Sequence, residues 1–261
     1  MIKTVSPALK ALVESLIDYA GLFPPAGLPL DIALANYQEY RSAPRSFMLR
    51  SFVLKAGDME KAPGSLDGHF AVLAERPVET LVKRAASFET TVPASCDLPV
   101  YCEVGATGAI DELDRVKEAG NFAKIRCGGV KPEAIPSVEA VAAFIRACAS
   151  RKLAFKATAG LHHPLRAEQA LTYESDAPRA VMHGFLNVLL ASAFAFHGDD
   201  DIEPILLETD PSAFSFDERA HFKDRSLGEE QIRAARRDFV HSIGSCSFEE
   251  PVADLEILGL L

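Results

Sequence analysis

Short apolar runs alternate with helical patterns along most of this chain. The runs predict strands at 47–54, 69–74, 98–104, 122–125, 153–157, 202–207 and 239–243. A strand, a helix and a second strand in succession require parallel pairing, because the helix carries the chain back across one face of the sheet. The pattern therefore predicts a single α/β domain, a TIM-like β/α barrel of seven or eight parallel strands.

Helical patterns fill the segments between these runs. We predict them at 78–88, 109–119, 138–149, 178–196, 229–237 and 251–258, and two further helices at 7–20 and 31–40. Only seven runs are recognised, so either an eighth strand has no clear pattern, with residues 21–23 as the candidate, or the barrel is incomplete. Residues 1–45 then form a helical N-terminal extension with a loop, and residues 46–261 form the barrel with an insertion near 210–226. A doubly wound sheet is the alternative, although no GxGxxG follows the first run.

Composition narrows the classes of partner and compartment. A net charge of −10 without a dense Lys/Arg run argues against nucleic acid. The longest apolar stretch, 185–196, contains Asn187 and Ser192 and is too short to span a bilayer. The first residues lack the apolar segment of a signal peptide. Five cysteines without a CxxC pair fit a reducing cytoplasm.

Strand alternation predicts which side chains point into the barrel. In "FAKIR", Ala123 and Ile125 suit the helix side, so Lys124 and Arg126 point inward. The same alternation places these residues at the inner face of the strand ends: Glu75, Glu103, Lys124, Arg126, Lys156, Thr158 and Glu208. Barrel enzymes build their active sites at the C-terminal ends of the strands. The alternative is that the charged members are loop residues or structural ion pairs.

Lys156, in the stretch "FKATAGLHHP", is the strongest candidate catalytic residue. Lys124 is expected on the adjacent strand, and a second cation together with burial lowers the pKa of an amine. Lys156 would then act as a nucleophile, as in a Schiff base, or as a general base, with Lys124 tuning it. Glu103 and Glu208 are candidates for proton transfer. A plain salt bridge to a glutamate is the alternative for each lysine.

Several residues are candidates for substrate binding. Arg126 and the backbone amides of Gly128 and Gly129 could seat a carboxylate or phosphate. The small residues of "SIGSCSFEEP", Ser245 among them, precede a predicted helix and form a second possible anion seat. Thr158 and Glu75 complete the predicted set.

His162 and His163 follow the Lys156 strand, and we expect one of them to face the pocket as an acid or base. Pro164 biases His163 toward extended backbone, so the two imidazoles point apart and do not chelate one ion together. No cofactor is predicted by this interpretation. The alternative is a divalent metal held by Glu103, His162 and Glu208.

The stretches "LIDYAGLFPPAGL", "KIRCGG", "FKATAGLHHP", "MHGFLNVLLAS" and "GSCSFEEPVADL" together resemble a family of bacterial hypothetical proteins of uncharacterised function. The resemblance covers nearly the whole chain but implies no activity. More locally, "FKATAG" is similar to the Schiff-base strand of deoxyribose-phosphate aldolases. That similarity implies Lys156 as the reactive amine.

These features together predict a cytoplasmic enzyme of lyase or aldolase type, acting on a small anionic oxo-acid or sugar-phosphate-like compound. Two other hypotheses remain: a divalent-metal-dependent hydrolase or isomerase, and a non-catalytic protein that binds an anionic metabolite. The expected partner is a small anionic metabolite, with no nucleic acid or membrane, and a homo-oligomer is possible.

Overall fold

The computed structural model describes residues 5–105 and 110–261. Its strands, in chain order, are β1 Ile17–Tyr19, β2 Leu49–Lys55, β3 Phe70–Leu73, β4 Ala85–Thr90, β5 Val100–Glu103, β6 Phe122–Arg126, β7 Phe155–Thr158, β8 Ala167–Ala170, β9 Arg179–Met182, β10 Phe214–Phe216, β11 Arg219–Phe222, β12 Arg225–Gly228 and β13 Val240–Ser245. Strands β1–β7 and β13 form a closed barrel in which every neighbouring pair is parallel. The predicted β/α barrel is confirmed, with eight strands.

Helices surround this barrel. They are α1 Pro7–Val13, α2 Leu30–Tyr40, α3 Ile110–Glu118, α4 Val138–Arg151, α5 Phe185–Phe196, α6 Glu203–Leu207, α7 Glu229–Asp238 and α8 Glu249–Ile257. Helix α5 is buried along nearly its whole length, because it packs against α4, α6, α7 and β13. None of the helices in the described part of the chain has the length and apolar character needed to cross a membrane.

Two predicted elements have the wrong type. Strand β4 takes the last four residues of the helix predicted at 78–88, and only one short turn, at 79–81, is helical in the rest. The strand is buried on both faces, so its sequence lacks the alternation of a half-buried strand. The apolar run predicted as a strand at 202–207 is helix α6. Pro204 lies in its first turn, where the fixed φ of proline suits a helix.

The N-terminal segment supplies a barrel strand. Helix α1 ends at Val13 rather than at Ala20, and the chain turns at Ser15, which has φ +47°, before entering β1. An eighth strand therefore exists, slightly earlier than the candidate residues 21–23, and the segment 1–45 is part of the barrel and not only a helical extension. Strand β1 closes the ring by pairing with both β13 and β2.

Two small antiparallel sheets interrupt the alternation of strands and helices. Strands β8 and β9 form a hairpin, so the helix predicted at 178–196 begins only at Phe185. Strands β10–β12 form a sheet that overlaps most of the predicted insertion at 210–226. The predicted start of α3 at Ala109 lies outside the described residues.

The loops after β6 and β7 touch at two glycines. A Cβ atom added at Gly128 would lie 2.9 Å from the Cα atom of Gly160, which itself has φ +70°. Since backbone meets backbone here, a side chain at Gly128 has to push the two loops apart. The expected role of the Gly128 amide as an anion seat is untested; the observed packing alone accounts for a glycine at this position.

Replacing Gly128 by alanine is expected to lower the free energy of unfolding by about 1–3 kcal/mol, the usual cost of overpacking. Urea unfolding followed by circular dichroism measures it. Gly57→Ala is the matched control, because a Cβ atom at Gly57 meets nothing within 4 Å. Equal stability of the two variants would show that the loops do not depend on this close contact.

Candidate active site

A cavity of about 430 Å³ opens at the C-terminal end of the barrel. Strand ends form its base, and residues of the β8–β9 hairpin and the turn between them contribute to its wall. The lining residues used below are Phe23, Pro24, Glu89, Lys124, Arg126, Thr158, His162, His163, Leu171, Thr172, Tyr173, Met182, Cys246 and Glu250. The cavity therefore lies where barrel enzymes hold their substrates.

A network of ion pairs lies beneath and beside this cavity. The Nζ atom of Lys156 is 2.5 Å from Oδ2 of Asp18 and 2.6 Å from Oε1 of Glu89. The second Glu89 oxygen, Oε2, is 2.8 Å from Nζ of Lys124, which also lies 2.9 Å from Oε2 of Glu103. Lys124 and Lys156 are register partners on β6 and β7, as predicted. Five strands thus contribute to one chain of alternating charges.

Lys156 is the most enclosed of these cations. It is 1% exposed and contributes no atom to the described lining of the cavity. Burial alone lowers its pKa, but the carboxylates of Asp18 and Glu89 outweigh burial and raise the pKa. The expectation of a lowered pKa at Lys156 is therefore wrong. Two acids contact its amine directly, and Lys124 is separated from it by Glu89.

Glu89 holds the two lysines together. Burial alone raises the pKa of its carboxyl group, but the Lys156 and Lys124 ammonium groups lower that pKa to about 2. Glu89 is therefore an anion throughout the physiological range. It lines the cavity although it is only 4% exposed.

Sequence analysis missed two acids of this network, Asp18 and Glu89. Asp18 lies in the segment predicted as a helix at 7–20, and Glu89 directly follows the helix predicted at 78–88, so strand alternation was not applied to either. Asp18 is 2% exposed and also accepts a hydrogen bond of 2.6 Å from Oγ of Ser242. An acid between apolar residues in "LIDYAG" was the available signal, since such an acid requires a partner when it is buried.

The structure separates two predicted acids from the site. Glu208 follows α6 instead of ending a barrel strand, and its Oε2 atom is 2.7 Å from Nζ of Lys223. Its expected position on the inner face of a strand is wrong, because segment 202–207 is helical. Glu75 is exposed beyond the end of β3 and lies outside the described lining of the cavity.

Three of the six predicted binding residues line the cavity, and Gly128, Ser245 and Glu75 do not belong to its described lining. Arg126 and Gly129 line it, and Arg126 is exposed without an acidic partner in the described parts of the chain. Thr158 lines it next to Gly244, where a Cβ atom would lie 2.4 Å from Oγ1 of Thr158. Ser245 is buried beside His162.

Both histidines line the cavity, rather than one. Their rings are 6.5 Å apart at 74°, which agrees with the expected divergence of adjacent imidazoles. His162 is 8% exposed, and its Nδ1 atom lies 3.1 Å from Oγ of Ser245 and 3.7 Å from Sγ of Cys246. Burial, and then the charge of His163, lower the pKa of His162 to about 4. His162 is therefore neutral at physiological pH.

His163 has an acidic partner. Its Nδ1 atom donates to Oδ2 of Asp254 on α8 over 2.6 Å. The backbone oxygen of His163 accepts a hydrogen bond from Phe185 N, which anchors the loop to the start of α5. An Nδ1 proton held by a carboxylate leaves the lone pair on Nε2. His163 is thus arranged as an oriented base at the cavity.

The β8–β9 hairpin was not predicted and supplies a further part of the wall. Tyr173 is exposed, and its hydroxyl group lies 3.7 Å from Sγ of Cys246. Burial raises the pKa of the Cys246 thiol, so this cysteine is not activated as a thiolate. Oγ1 of Thr172 is buried without a hydrogen-bond partner among the described residues.

The predicted metal ligands do not form one group. Within the parts of the chain that the structure describes, no cluster of three or more His, Cys, Asp or Glu side chains is arranged to hold an ion. Glu208 lies outside the cavity, and Glu103 is paired with Lys124. The proposed metal triad of Glu103, His162 and Glu208 is therefore not assembled.

The chain matches no protein-family model, no curated protein and no solved structure. A barrel of this kind is compatible with an enzyme, but the fold alone does not specify a reaction. Function has to be argued from the groups that meet in the cavity.

Proposed function

We propose that this barrel is a lyase that breaks or forms a carbon–carbon bond next to the carbonyl group of a small anionic oxo compound. One observation carries the proposal: Lys124 and His163, whose ring is held by Asp254, line the same cavity. A cation and an oriented base are the two groups that formation of an enolate requires.

Lys124, and not Lys156, is the lysine of the proposed mechanism, and its role is electrostatic and not that of a nucleophile or base. It reaches the cavity, whereas Lys156 is enclosed by Asp18 and Glu89. An ammonium group preorganised by two carboxylates stabilises negative charge that develops on a substrate oxygen, and it does so most strongly where water is excluded. Lys156 then acts as a positioning residue, because it fixes Glu89 and, through Glu89, the amine of Lys124.

The proposed cleavage step begins at His163. Its Nε2 atom takes the proton from a hydroxyl group on the carbon β to the carbonyl. The carbon–carbon bond between the α and β carbons breaks, the β carbon becomes a new carbonyl, and the bonding electron pair moves into the original carbonyl. The resulting enolate oxygen lies beside Lys124. Transfer of the proton from His163 to the α carbon completes the second product.

The remaining wall supports binding of an anion with a short carbon chain. Arg126 has no acidic partner in the described regions, so a carboxylate or phosphate of the substrate can pair with it. Phe23, Pro24, Leu171 and Met182 supply apolar wall. Oγ1 of Thr172 has an unmet hydrogen-bonding capacity next to the same space.

Exchange of α protons tests this proposal without knowledge of the full substrate. A panel of small 2-oxo acids and phosphorylated ketones is incubated with the protein in D₂O, and loss of the α-proton signal is followed by NMR. At least one compound is expected to exchange about 10²-fold or more above buffer, and Lys124→Met is expected to lower that rate about 10²–10³-fold. Arg219→Gln, in the outlying β10–β12 sheet, is the control and should not change it.

The same experiment separates the rival hypotheses. Binding of a panel compound without any exchange would favour a non-catalytic binding protein. Exchange that disappears with a chelator and returns with a divalent ion would favour the metal-dependent enzyme. Borohydride trapping with mass spectrometry then distinguishes an enolate, which leaves no adduct, from a Schiff base on Lys124 or Lys156.

A further inference from the structure

A second cavity, of about 570 Å³, opens at the other end of the barrel. Its wall includes Arg50 at the start of β2, and Arg233, Arg236 and Arg237 on α7. Glu14 is the only acidic residue in its described lining. The protein as a whole has a net charge of −10, so this concentration of arginines is a local exception.

Two of these arginines lack an ion-pair partner in the described parts of the chain. Arg233 pairs with Glu14 and Glu229, and Arg237 pairs with Asp238. Arg50 instead donates to the hydroxyl group of Tyr101 over 3.2 Å, and Arg236 donates to the backbone oxygens of Val240, Glu14 and Ser15. Two guanidinium groups thus face one cavity without carboxylates of their own.

Their hydrogen bonding is also incomplete. Nη1 of Arg50 and Nε of Arg236 are buried and have no partner among the described residues. A buried donor without an acceptor costs about 1–3 kcal/mol, and more when it is charged, so such donors are normally matched by a bound group. The unpaired donors therefore belong to the same two arginines that have no ion-pair partner among the described residues.

The electrostatics at Arg236 and His241 agree with a missing negative charge. At Arg50, by contrast, burial alone lowers the pKa, but its neighbours, the carboxylate of Asp18 first among them, outweigh burial and raise the pKa. Burial, and then the neighbouring charge of Arg50, lower the pKa of Arg236 to about 9. Burial, then Arg50 and Arg236, lower the pKa of His241 in the same wall to about 4. An anion between these groups would offset both effects.

We propose that this cavity, at the N-terminal ends of the barrel strands, is a binding site for a phosphate group. Arg50 and Arg236 would be its main ligands, and Arg233 and Arg237 would complete it. Guanidinium groups bind phosphate oxygens through two parallel N–H donors, and several of them match a doubly charged anion better than a single carboxylate. The volume leaves room for a small organic group attached to the phosphate. The site is separate from the candidate active site and does not depend on the proposed reaction.

Calorimetric titration of the whole protein with inorganic phosphate, in a low-chloride zwitterionic buffer, tests the site. One binding event is expected, and sodium chloride at the same ionic strength should not reproduce it. At a phosphate concentration a hundred times the Kd, the melting temperature should rise by roughly 5–10 °C. Glycerol phosphate as a second titrant shows whether the site prefers a free phosphate or an ester.

Variants locate the bound phosphate. Arg50→Gln is expected to weaken binding at least tenfold, the usual effect of losing a charge-assisted hydrogen bond, and Arg50→Lys should restore part of the loss. If Arg50→Gln does not fold, Arg237→Gln, at an exposed position, should still weaken binding several-fold. Arg219→Gln, outside the cavity, should bind like the wild type.

Two results would overturn the proposal. The first is an absence of phosphate binding at millimolar concentration. The second is loss of binding in Arg126→Gln together with wild-type binding in Arg50→Gln, which would assign the phosphate to the C-terminal cavity. The first result leaves the proposed lyase activity intact, because the exchange assay reads only the C-terminal cavity.

Discussion

Replacing Lys156 by methionine is expected to lower the free energy of unfolding by about 3–5 kcal/mol, because it leaves two buried carboxylates without their shared cation. Asp18 and Glu89 are 2% and 4% exposed, so water cannot solvate them in place of the lysine. The loss is large compared with the total stability of a typical domain, about 5–15 kcal/mol. Chemical unfolding at pH 7 measures it.

Lys223→Met is the matched control for this change. Lys223 also pairs with one glutamate, Glu208, at 2.7 Å, but its side chain is 55% exposed. An exposed pair of this kind is worth about 1 kcal/mol or less. Equal destabilisation by the two variants would mean that the buried ion pairs of Lys156 contribute no more to stability than an exposed ion pair does.

The effect of Lys156→Met should depend on pH. Because the folded pKa of Glu89, about 2, lies below its ordinary value of 4.5, the stability it contributes is present above about pH 4.5 and is lost as the pH falls toward 2. In the variant, Asp18 and Glu89 are buried without the lysine, and protonation removes their negative charge and therefore the cost of burying it. The gap between wild type and variant should therefore narrow between pH 4.5 and pH 2. A gap that widens on acidification would contradict this assignment of charges.

The double variant Lys156→Met/Asp18→Asn, compared with the two single variants, measures the coupling between Asp18 and Lys156. It removes one buried charge of each sign, so the remaining network of Glu89, Lys124 and Glu103 keeps the net charge of the wild-type network. The single variant Lys156→Met makes that net charge more negative. The destabilisation of the double variant should be smaller than the sum of the single effects by about 1 kcal/mol or more. Strict additivity would show that Asp18 and Lys156 are not coupled.

The sequence predicted the barrel because its signal is repeated along the whole chain. Six of the seven predicted strands match barrel strands, and errors of a few residues at their ends do not change the architecture. The failures lie where periodicity carries little information. Strand β4 is buried on both faces, and a six-residue apolar run such as 202–207 fits a strand or a short helix equally well.

Those local errors explain what was missed in the site. Alternation correctly directed Lys124 and Lys156 into the barrel, since β6 and β7 were recognised as strands. It could not direct Asp18 or Glu89, because their strands were not recognised. This omission also led to the wrong chemical interpretation of the lysines. Without the two acids, Lys124 was interpreted as a neighbouring cation that lowers the pKa of Lys156. In the structure, Glu89 lies between the two lysines.

The contacts across the molecule could not be predicted at all. His163 and Asp254 are 91 residues apart in the chain, and only the folded barrel brings α8 against the loop after β7. The clustering of Arg50 with Arg236 depends in the same way on β2 and α7 both contributing to the wall of one cavity. Pairs of this kind carry no local pattern, so they become visible only in three dimensions.

His163→Gln is expected to lower the proposed exchange or cleavage rate about 10²–10⁴-fold, the usual contribution of a general base, with little effect on stability. Glutamine keeps a polar side chain of similar length but cannot accept the proton. His221→Gln is the matched control, because His221 forms a comparable pair with Asp217 at 3.2 Å in the outlying β10–β12 sheet. The rate constants of both variants are measured with whichever compound exchanges in the wild type.

Asp254→Asn separates orientation of the base from proton transfer itself. The amide still occupies the site but no longer holds the Nδ1 proton as an anion does, so the rate should fall less than in His163→Gln. An Asp254 that does not orient the base would leave the rate of Asp254→Asn equal to that of the wild type. An unchanged rate in His163→Gln would assign the base to another group of the cavity wall and would refute the mechanism proposed for His163.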